Sequence, residues 1–313
     1  MKHEVKITAL LLLMFLTTQL IGLAVIDAYS PKIVKTTLAN GTQVLESVNV
    51  TIPYGMEPPE VSPEVGFANI IISLTIAIVI FFFLMKFQAA TLIRAWFTFV
   101  SLITISVALY ALLLRFFPAY HLSLEIIALA LAVPLTIYKI FKRNLIVHNV
   151  TELLIYPGLA AIFVPILNVW AVIILLLIIS VYDMYAVWKS NFMVGLAKYQ
   201  IQHLKIFTGF FVPYLSKQQS AKLKRLKTSR NKGKGIPMKV SLAILGGGDV
   251  AFPLIFAGVI LRSAGLIPAL IIVIASTLAL LGLFIYSRKG KFYPAMPFLT
   301  IGCLIGWLIT LLL

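Results

Sequence analysis

Two aspartates lie inside long apolar stretches of the chain, where a carboxylate is costly. Asp183 stands among Ile, Val and Met, and Asp249 follows three consecutive glycines. An aspartate at the centre of a membrane helix costs about 2.5 to 3.5 kcal/mol, so a functional reason is expected. Two neighbouring carboxyl groups share one proton. One can then activate water while the other donates to a carbonyl oxygen, which is the chemistry of peptide-bond hydrolysis.

Other uses of the same aspartates remain open at this point. Hydroxyl groups or water could satisfy them structurally, or they could carry cations or protons in a channel or transporter. The sequence contains no second half with matching broken helices, the pattern typical of inverted-repeat transporters. The other two acids beyond residue 65, Glu125 and Glu152, fall in the first turns of their predicted helices, where an acid is favourable.

The composition requires a membrane to solvate the chain. Of 313 residues, 61% are hydrophobic and 12% charged, which is too little polar surface for a water-soluble fold. Each span needs about 20 apolar residues. The predicted runs are 7–27, 66–85, 93–114, 122–141, 151–167, 169–188, 239–261, 266–286 and 293–313. We therefore predict an all-α polytopic membrane protein of about nine transmembrane helices.

We predict one catalytic membrane domain built from three stretches of chain. Residues 1–188 hold helices one to six and a polar outer loop at 28–65, and residues 239–313 hold helices seven to nine. The basic loop 189–238 lies between them. Within this loop, residues 191–215 mix apolar and basic side chains, which predicts an amphipathic helix at the membrane interface. Residues 216–236 are predicted to be disordered or to lie on anionic headgroups.

The basic residues that give the chain its net charge of +16 lie in short segments between the apolar runs. This position indicates that they set the membrane topology rather than bind nucleic acid. Basic residues near 86–94, 139–143, 189–239 and 288–291 predict a cytoplasmic amino terminus and an outer carboxyl terminus. The single cysteine, Cys303, excludes an intrachain disulfide and a cysteine-ligated metal cluster. We expect no metal, cofactor or nucleic-acid partner, and an oligomer is compatible with the sequence.

The depth of the two aspartates can be compared by counting from the nearest basic residues. Asp183 precedes Lys189 by six residues, and Asp249 follows Lys239 by ten. At the helical rise these spacings correspond to roughly 9 and 15 Å, a mismatch of about one turn. Tilt, or distortion of the helix at the glycines, could bring both carboxyls to one water molecule.

Three short motifs accompany this pair. They are Tyr182-Asp183, Gly246-Gly247-Gly248-Asp249 and Pro294-Ala295-Met296-Pro297. These motifs resemble the Tyr-Asp, Gly-x-Gly-Asp and Pro-Ala-Leu signatures of the presenilin and signal peptide peptidase family of intramembrane aspartyl proteases. The resemblance includes their order along the chain and the predicted helices on which they lie. Met in place of Leu preserves volume and apolarity. Both prolines of the third motif favour an extended approach to the ninth helix.

A literal Pro268-Ala269-Leu270 also occurs, but its position argues against it. It follows Arg262 by six residues at the predicted outer end of helix eight, whereas Pro294 follows Lys291 on the predicted cytoplasmic side. Only the second position lies on the same side of the membrane as the aspartates.

The resemblance implies cleavage of single transmembrane helices in substrate proteins. An unwound substrate segment would add as a strand beside 294–297 and the end of the loop before helix seven, and the apolar part of 191–215 would gate the site. The compact loops look like those of a microbial homologue, located in the cell membrane, that needs no accessory subunits. Prepilin peptidases share the Gly-x-Gly-Asp element and are the nearest enzymatic alternative, but they lack the third motif.

Overall fold

The protein is described by a computed structural model that covers residues 5–37, 43–48, 52–56, 63–118, 120–142, 144–188, 208–214, 241–287 and 293–312. Within these ranges it contains nine α-helices. They are α1 (Val5–Ala28), α2 (Pro63–Lys86), α3 (Ala90–Phe116), α4 (His121–Ile137), α5 (Leu145–Phe163), α6 (Val169–Trp188), α7 (Gly247–Ala264), α8 (Leu266–Tyr286) and α9 (Met296–Thr310). The predicted helical membrane architecture is confirmed, although the described chain also contains short strands.

Two antiparallel hairpins complete the described fold. Strands β1 (Lys32–Thr37) and β2 (Gln43–Val48) pair within the polar loop after α1. Strands β3 (Gly209–Tyr214) and β4 (Ser241–Gly246) pair immediately before α7. The second hairpin therefore leads directly into the glycine run that precedes Asp249.

Seven helices of the described chain are long and apolar enough to cross a membrane, and α9 is a shorter apolar helix. Their outer surfaces expose large apolar side chains, including Leu122, Trp170 and Ile267. Such surfaces suit contact with lipid tails rather than water. The protein is thus a multi-pass integral membrane protein, while the predicted orientation of its termini stays a prediction.

Helices α1, α3, α5 and α7 pack closely because glycines lie where they meet. A Cβ on Gly158 of α5 would lie 1.9 Å from the Thr104 carbonyl oxygen of α3, and one on Gly22 of α1 would lie 2.3 Å from Leu254 of α7. Small residues at such contacts allow helix backbones to approach in a membrane. This packing places α7 against α1 and α5.

The connection from α4 to α5 buries a lysine. A π-helical turn, Tyr138–Lys142, follows α4 and leaves Lys139 buried. The Asn144 side chain then caps α5 by accepting hydrogen bonds from the Ile146 and Val147 amides. Such caps satisfy amides that have no partner inside the helix. Since α5 begins at Leu145, Glu152 lies in its third turn and is fully buried, so the prediction that Glu152 sits at a helix start is wrong.

Glu125 also lies beyond the position predicted for it. Helix α4 begins at His121, and its first turn contains no acidic residue. Glu125 is the fifth residue of α4 and is only partly buried.

The seventh helix begins later than predicted. Residues 239–261 were expected to be helical, but Ser241–Gly246 form β4, and α7 starts at Gly247. A short apolar run such as Leu242–Leu245 fits a buried strand as well as a helix, so periodicity alone does not separate them. Gly246 keeps an extended backbone, with φ −64° and ψ 146°.

Most of the predicted loop features lie outside the described residues. This applies to 216–236 and to 191–207, which include most of the predicted amphipathic helix. The end of that segment is different from the prediction, because Gly209–Tyr214 are strand β3 rather than helix. The division of the chain into three stretches stays a prediction.

Candidate active site

Asp183 lies on the buried side of α6 and holds the start of α9. Asp183 is 8% exposed, whereas the preceding Tyr182 is 52% exposed. The Met296 amide donates to Asp183 Oδ2 over 3.1 Å, and the Ala295 amide also donates to this carboxylate. The first amides of a helix lack partners within the helix and carry partial positive charge, so a carboxylate is favourable there.

The third sequence motif forms this helix start. Pro294 precedes α9 outside the helix, and Ala295 already has helical angles, with φ −85° and ψ −34°. Pro297 is the second residue of α9, where its missing N–H costs nothing. The predicted extended approach therefore does not include Ala295 or Pro297, since Pro297 belongs to the first helical turn.

A second polar contact joins α6 to α9 one turn away. Ser180 Oγ and Thr300 Oγ1 are 2.7 Å apart, and Thr300 Oγ1 also donates to the Leu176 carbonyl over 3.4 Å. Ser180 lies three residues before Asp183, on the same helix face. The spacing of a serine and an aspartate on one apolar helix was a usable signal that the sequence prediction missed.

Asp249 occupies the first turn of α7 and is oriented by its own glycine run. The Gly246 amide donates to the Asp249 carboxylate. A Cβ on Gly246 would lie 2.9 Å from Asp249 Oδ2, so a side chain there would displace the carboxylate. The expectation of a mid-helix acid is thus wrong, and the earlier depth count does not apply because Ser241–Gly246 are extended, with about 3.3 Å per residue.

The two aspartates lie on helices that pack against each other. Helix α6 packs against both α7 and α9, and Asp183 lies near enough to Asp249 for its charge to act on that carboxyl group. The carboxyl-terminal part of α6 therefore meets the amino-terminal ends of α7 and α9. The fold brings the three motifs together at this point.

The other candidate residues divide into buried and exposed positions. A Cβ on Gly247 would lie 2.8 Å from Tyr156 Oη, so the glycine is needed for close packing on α5. Gly248 is exposed and has only ordinary contact with Phe252, at 3.5 Å. Like Tyr182, it stays a predicted site residue.

The literal Pro268-Ala269-Leu270 forms the third to fifth residues of α8, beyond the far end of α7. Asp249 is in the first turn of α7, and Ala264 is its last residue. Fifteen residues of helix separate them, which is about 22 Å. This tripeptide is therefore distant from the aspartates.

One buried amide of α1 reaches the segment that carries Asp249. Gln19 Nε2 donates to the Val250 carbonyl over 3.0 Å, and Gln19 is fully buried. Pro253, four residues after Asp249, has no N–H to bond the Asp249 carbonyl, so the first turns of α7 are short of internal hydrogen bonds. Gln19 adds a hydrogen bond from another helix to this turn, and nothing in its own sequence neighbourhood predicted the contact.

The family model described as signal-peptide peptidase, presenilin aspartyl protease matches residues 44–313. The chain belongs to this family. It is an intramembrane aspartyl protease, and the channel, transporter and prepilin-peptidase alternatives are not favoured.

Solved structures agree with the fold of this protease. One, described as a presenilin family intramembrane aspartate protease in space group C222, has a TM-score of 0.63 at 19% identity, over 97% of this chain and 98% of the other. A second, described in the same words in space group P2, has a TM-score of 0.58 at 19% identity, over 96% of each chain. No curated protein sequence matches the protease significantly.

Proposed function

We propose that Asp183 and Asp249 are the catalytic pair of this protease and that they hydrolyse a peptide bond within a transmembrane helix of the substrate. The observation that carries the proposal is the convergence of α6, α7 and α9 on these two carboxyl groups. Backbone amides of Met296 and Gly246 orient them, so neither carboxyl depends on a mobile side chain for its position.

The pair works through one shared proton. The ionised carboxylate accepts a proton from water, which attacks the scissile carbonyl carbon, and the protonated carboxyl donates to the carbonyl oxygen. The resulting tetrahedral intermediate collapses when the amide nitrogen receives a proton and leaves. Because the two groups titrate as a unit, the roles belong to the pair rather than to one named residue.

The substrate segment is proposed to bind as a strand along the outer edge of β4. The Phe211 amide and carbonyl both bond Asn149 of α5, so this edge of β3 is already occupied. Backbone groups alternate between the two edges of a strand. The backbone groups of Phe210 therefore point towards β4, where Phe210 pairs with Leu245. It follows that the backbone groups of Ile244 and Gly246 point to the other edge of β4, where the Gly246 amide donates to Asp249. An added strand would thus run past the catalytic pair.

Three finer features complete the proposal. The amino terminus is cytoplasmic, the basic residues within 216–236 contact anionic headgroups, and no nucleic acid is bound. They rest on the distribution of basic residues along the chain.

A peptide-like inhibitor with a hydroxyl in place of the scissile carbonyl tests the pair. It resembles the tetrahedral intermediate, so it should bind the unaltered protein tightly and lose at least tenfold in affinity in Asp249→Asn. Fluorescence binding to the protein in detergent measures this, with Asp27→Asn as the control, because Asp27 is exposed and lies 3.9 Å from Arg115. Equal affinity in all three proteins would contradict the proposed pair.

A further inference from the structure

One face of α5 holds the hairpin that leads into the active site. His148 Nε2 lies 2.8 Å from the Gly209 carbonyl oxygen. Asn149 Nδ2 donates to the Phe211 carbonyl over 2.8 Å, and the Phe211 amide donates to Asn149 Oδ1 over 3.0 Å. Because a carbonyl only accepts, the His148 ring carries its proton on Nε2. The side chains of His148 and Asn149 thus form hydrogen bonds with the backbone of β3, as a third strand would.

Ring packing reinforces these hydrogen bonds. The Phe210 ring is fully buried, and its centroid lies 5.8 Å from that of Tyr156 in an edge-on arrangement. The Phe211 ring lies 5.0 Å from the His148 ring. Tyr156 also packs beneath Gly247 at the start of α7. The hairpin and the segment that carries Asp249 are therefore both positioned by the same helix.

A buried ion pair lies behind this face. Lys139 Nζ bonds Glu152 Oε1, and their side chains are 3% and 0% exposed. His148 Nε2 lies 3.6 Å from the same carboxylate oxygen, so the pair also contacts the residue that holds Gly209. Burying two charges costs more than an apolar pair of similar volume. None of the three sequence motifs includes Lys139 or Glu152, so the proposed catalysis does not explain why this ion pair is buried.

We propose that Lys139, His148, Asn149 and Glu152 form a clamp that fixes the register of β3 and β4 relative to Asp249 and thereby determines which peptide bond is cut. This inference rests on the proposed function, since it assigns a specificity role beside the same catalytic pair. A one-residue slip of an extended substrate reverses its facing side chains and moves a different bond to the aspartates. Positioning the hairpin therefore sets the cleavage position.

The test compares the cleavage positions of variants by mass spectrometry of the products of a synthetic transmembrane peptide. Asn149→Leu and His148→Leu should spread cleavage over neighbouring bonds and lower the share of the main product at least twofold. His148→Gln keeps a donor for the Gly209 carbonyl and should restore the original distribution. Thr277→Val is the matched control, because its hydroxyl bonds Val273 within α8.

A merely structural role would lower the amount of product without changing the positions. Unchanged positions in both leucine variants, at any rate of cleavage, would overturn the clamp. Hydrogen exchange gives a readout that needs no cleavage: the Phe211 amide should exchange at least tenfold faster in Asn149→Leu than in Thr277→Val, and equal exchange would also overturn it. Absence of cleavage by the unaltered protein would instead contradict the proposed function.

Discussion

Replacing Asp183 or Asp249 with asparagine is expected to lower peptide cleavage on the order of 10³-fold, with the fold retained. Asparagine has nearly the same shape and keeps an oxygen that can accept from the Met296 or Gly246 amide. It cannot take a proton from water or carry the shared proton, so the remaining aspartate has no partner with which to divide the roles of base and acid. Initial rates on a labelled transmembrane peptide in detergent measure the effect.

The double variant separates a catalytic pair from two independent contributors. Residues that act as one unit give non-additive losses, so the variant with both asparagines should be no slower than either single variant. Asp27→Asn should cleave at the normal rate, because that exposed aspartate lies outside the site. A single asparagine variant that keeps more than about a tenth of the activity would contradict a pair in which each member is essential.

Breaking the buried ion pair is expected to have the largest effect on stability. Lys139→Met leaves Glu152 charged and fully buried without its partner, and the cost of such a change is about 3 to 5 kcal/mol. For a chain of this size that lowers the unfolding temperature by on the order of 10 °C. Thermal unfolding in detergent, followed by tryptophan fluorescence, measures the shift.

The compensating double variant provides the control for this prediction. Lys139→Met with Glu152→Leu removes both charges, so most of the lost stability should return. Arg115→Met removes one member of an exposed pair 3.9 Å from Asp27 and should change stability by only about 0 to 1 kcal/mol. Equal unfolding temperatures for Lys139→Met and the unaltered protein would contradict a stabilising role of the buried pair.

The helices and the candidate aspartates were accessible from the sequence because a membrane imposes strong constraints. Runs of about 20 apolar residues have few alternatives to a membrane helix. A carboxylate in such a run is energetically unfavourable unless it has a function, and this identified Asp183 and Asp249 as candidate site residues. The short motifs near them then gave the family, which the family match confirms. The roles of individual site residues stay proposals.

The start of α7 could not be predicted in the same way. Ser241–Gly246 continue the apolar character of the helix that follows, and only pairing with Gly209–Tyr214 makes them a strand. That partner lies in the segment predicted to be an amphipathic helix, with paired residues between 27 and 37 positions apart in sequence. A contact between distant segments decided the local structure, as often happens for short apolar runs.

The polar face of α5 was missed for a related reason. Glu152 was assigned to a helix start because the fifth apolar run was placed at 151–167, whereas the Asn144 cap starts α5 at Leu145. His148 and Glu152 are four residues apart and so share a helix face. That spacing was visible, but the partners Lys139 and Gly209 are supplied by other elements.

Hydrolysis of transmembrane substrates by Asp183 and Asp249 can be followed in a lipid bilayer. The most direct measurement reconstitutes the unaltered protein in liposomes with a labelled transmembrane peptide and follows both product masses and ion flux. We expect products that together weigh one water molecule more than the intact peptide, and no detectable products with Asp183→Asn or Asp249→Asn. Ion flux that depends on these two aspartates, with no peptide cleavage under any condition, would contradict the proposed function.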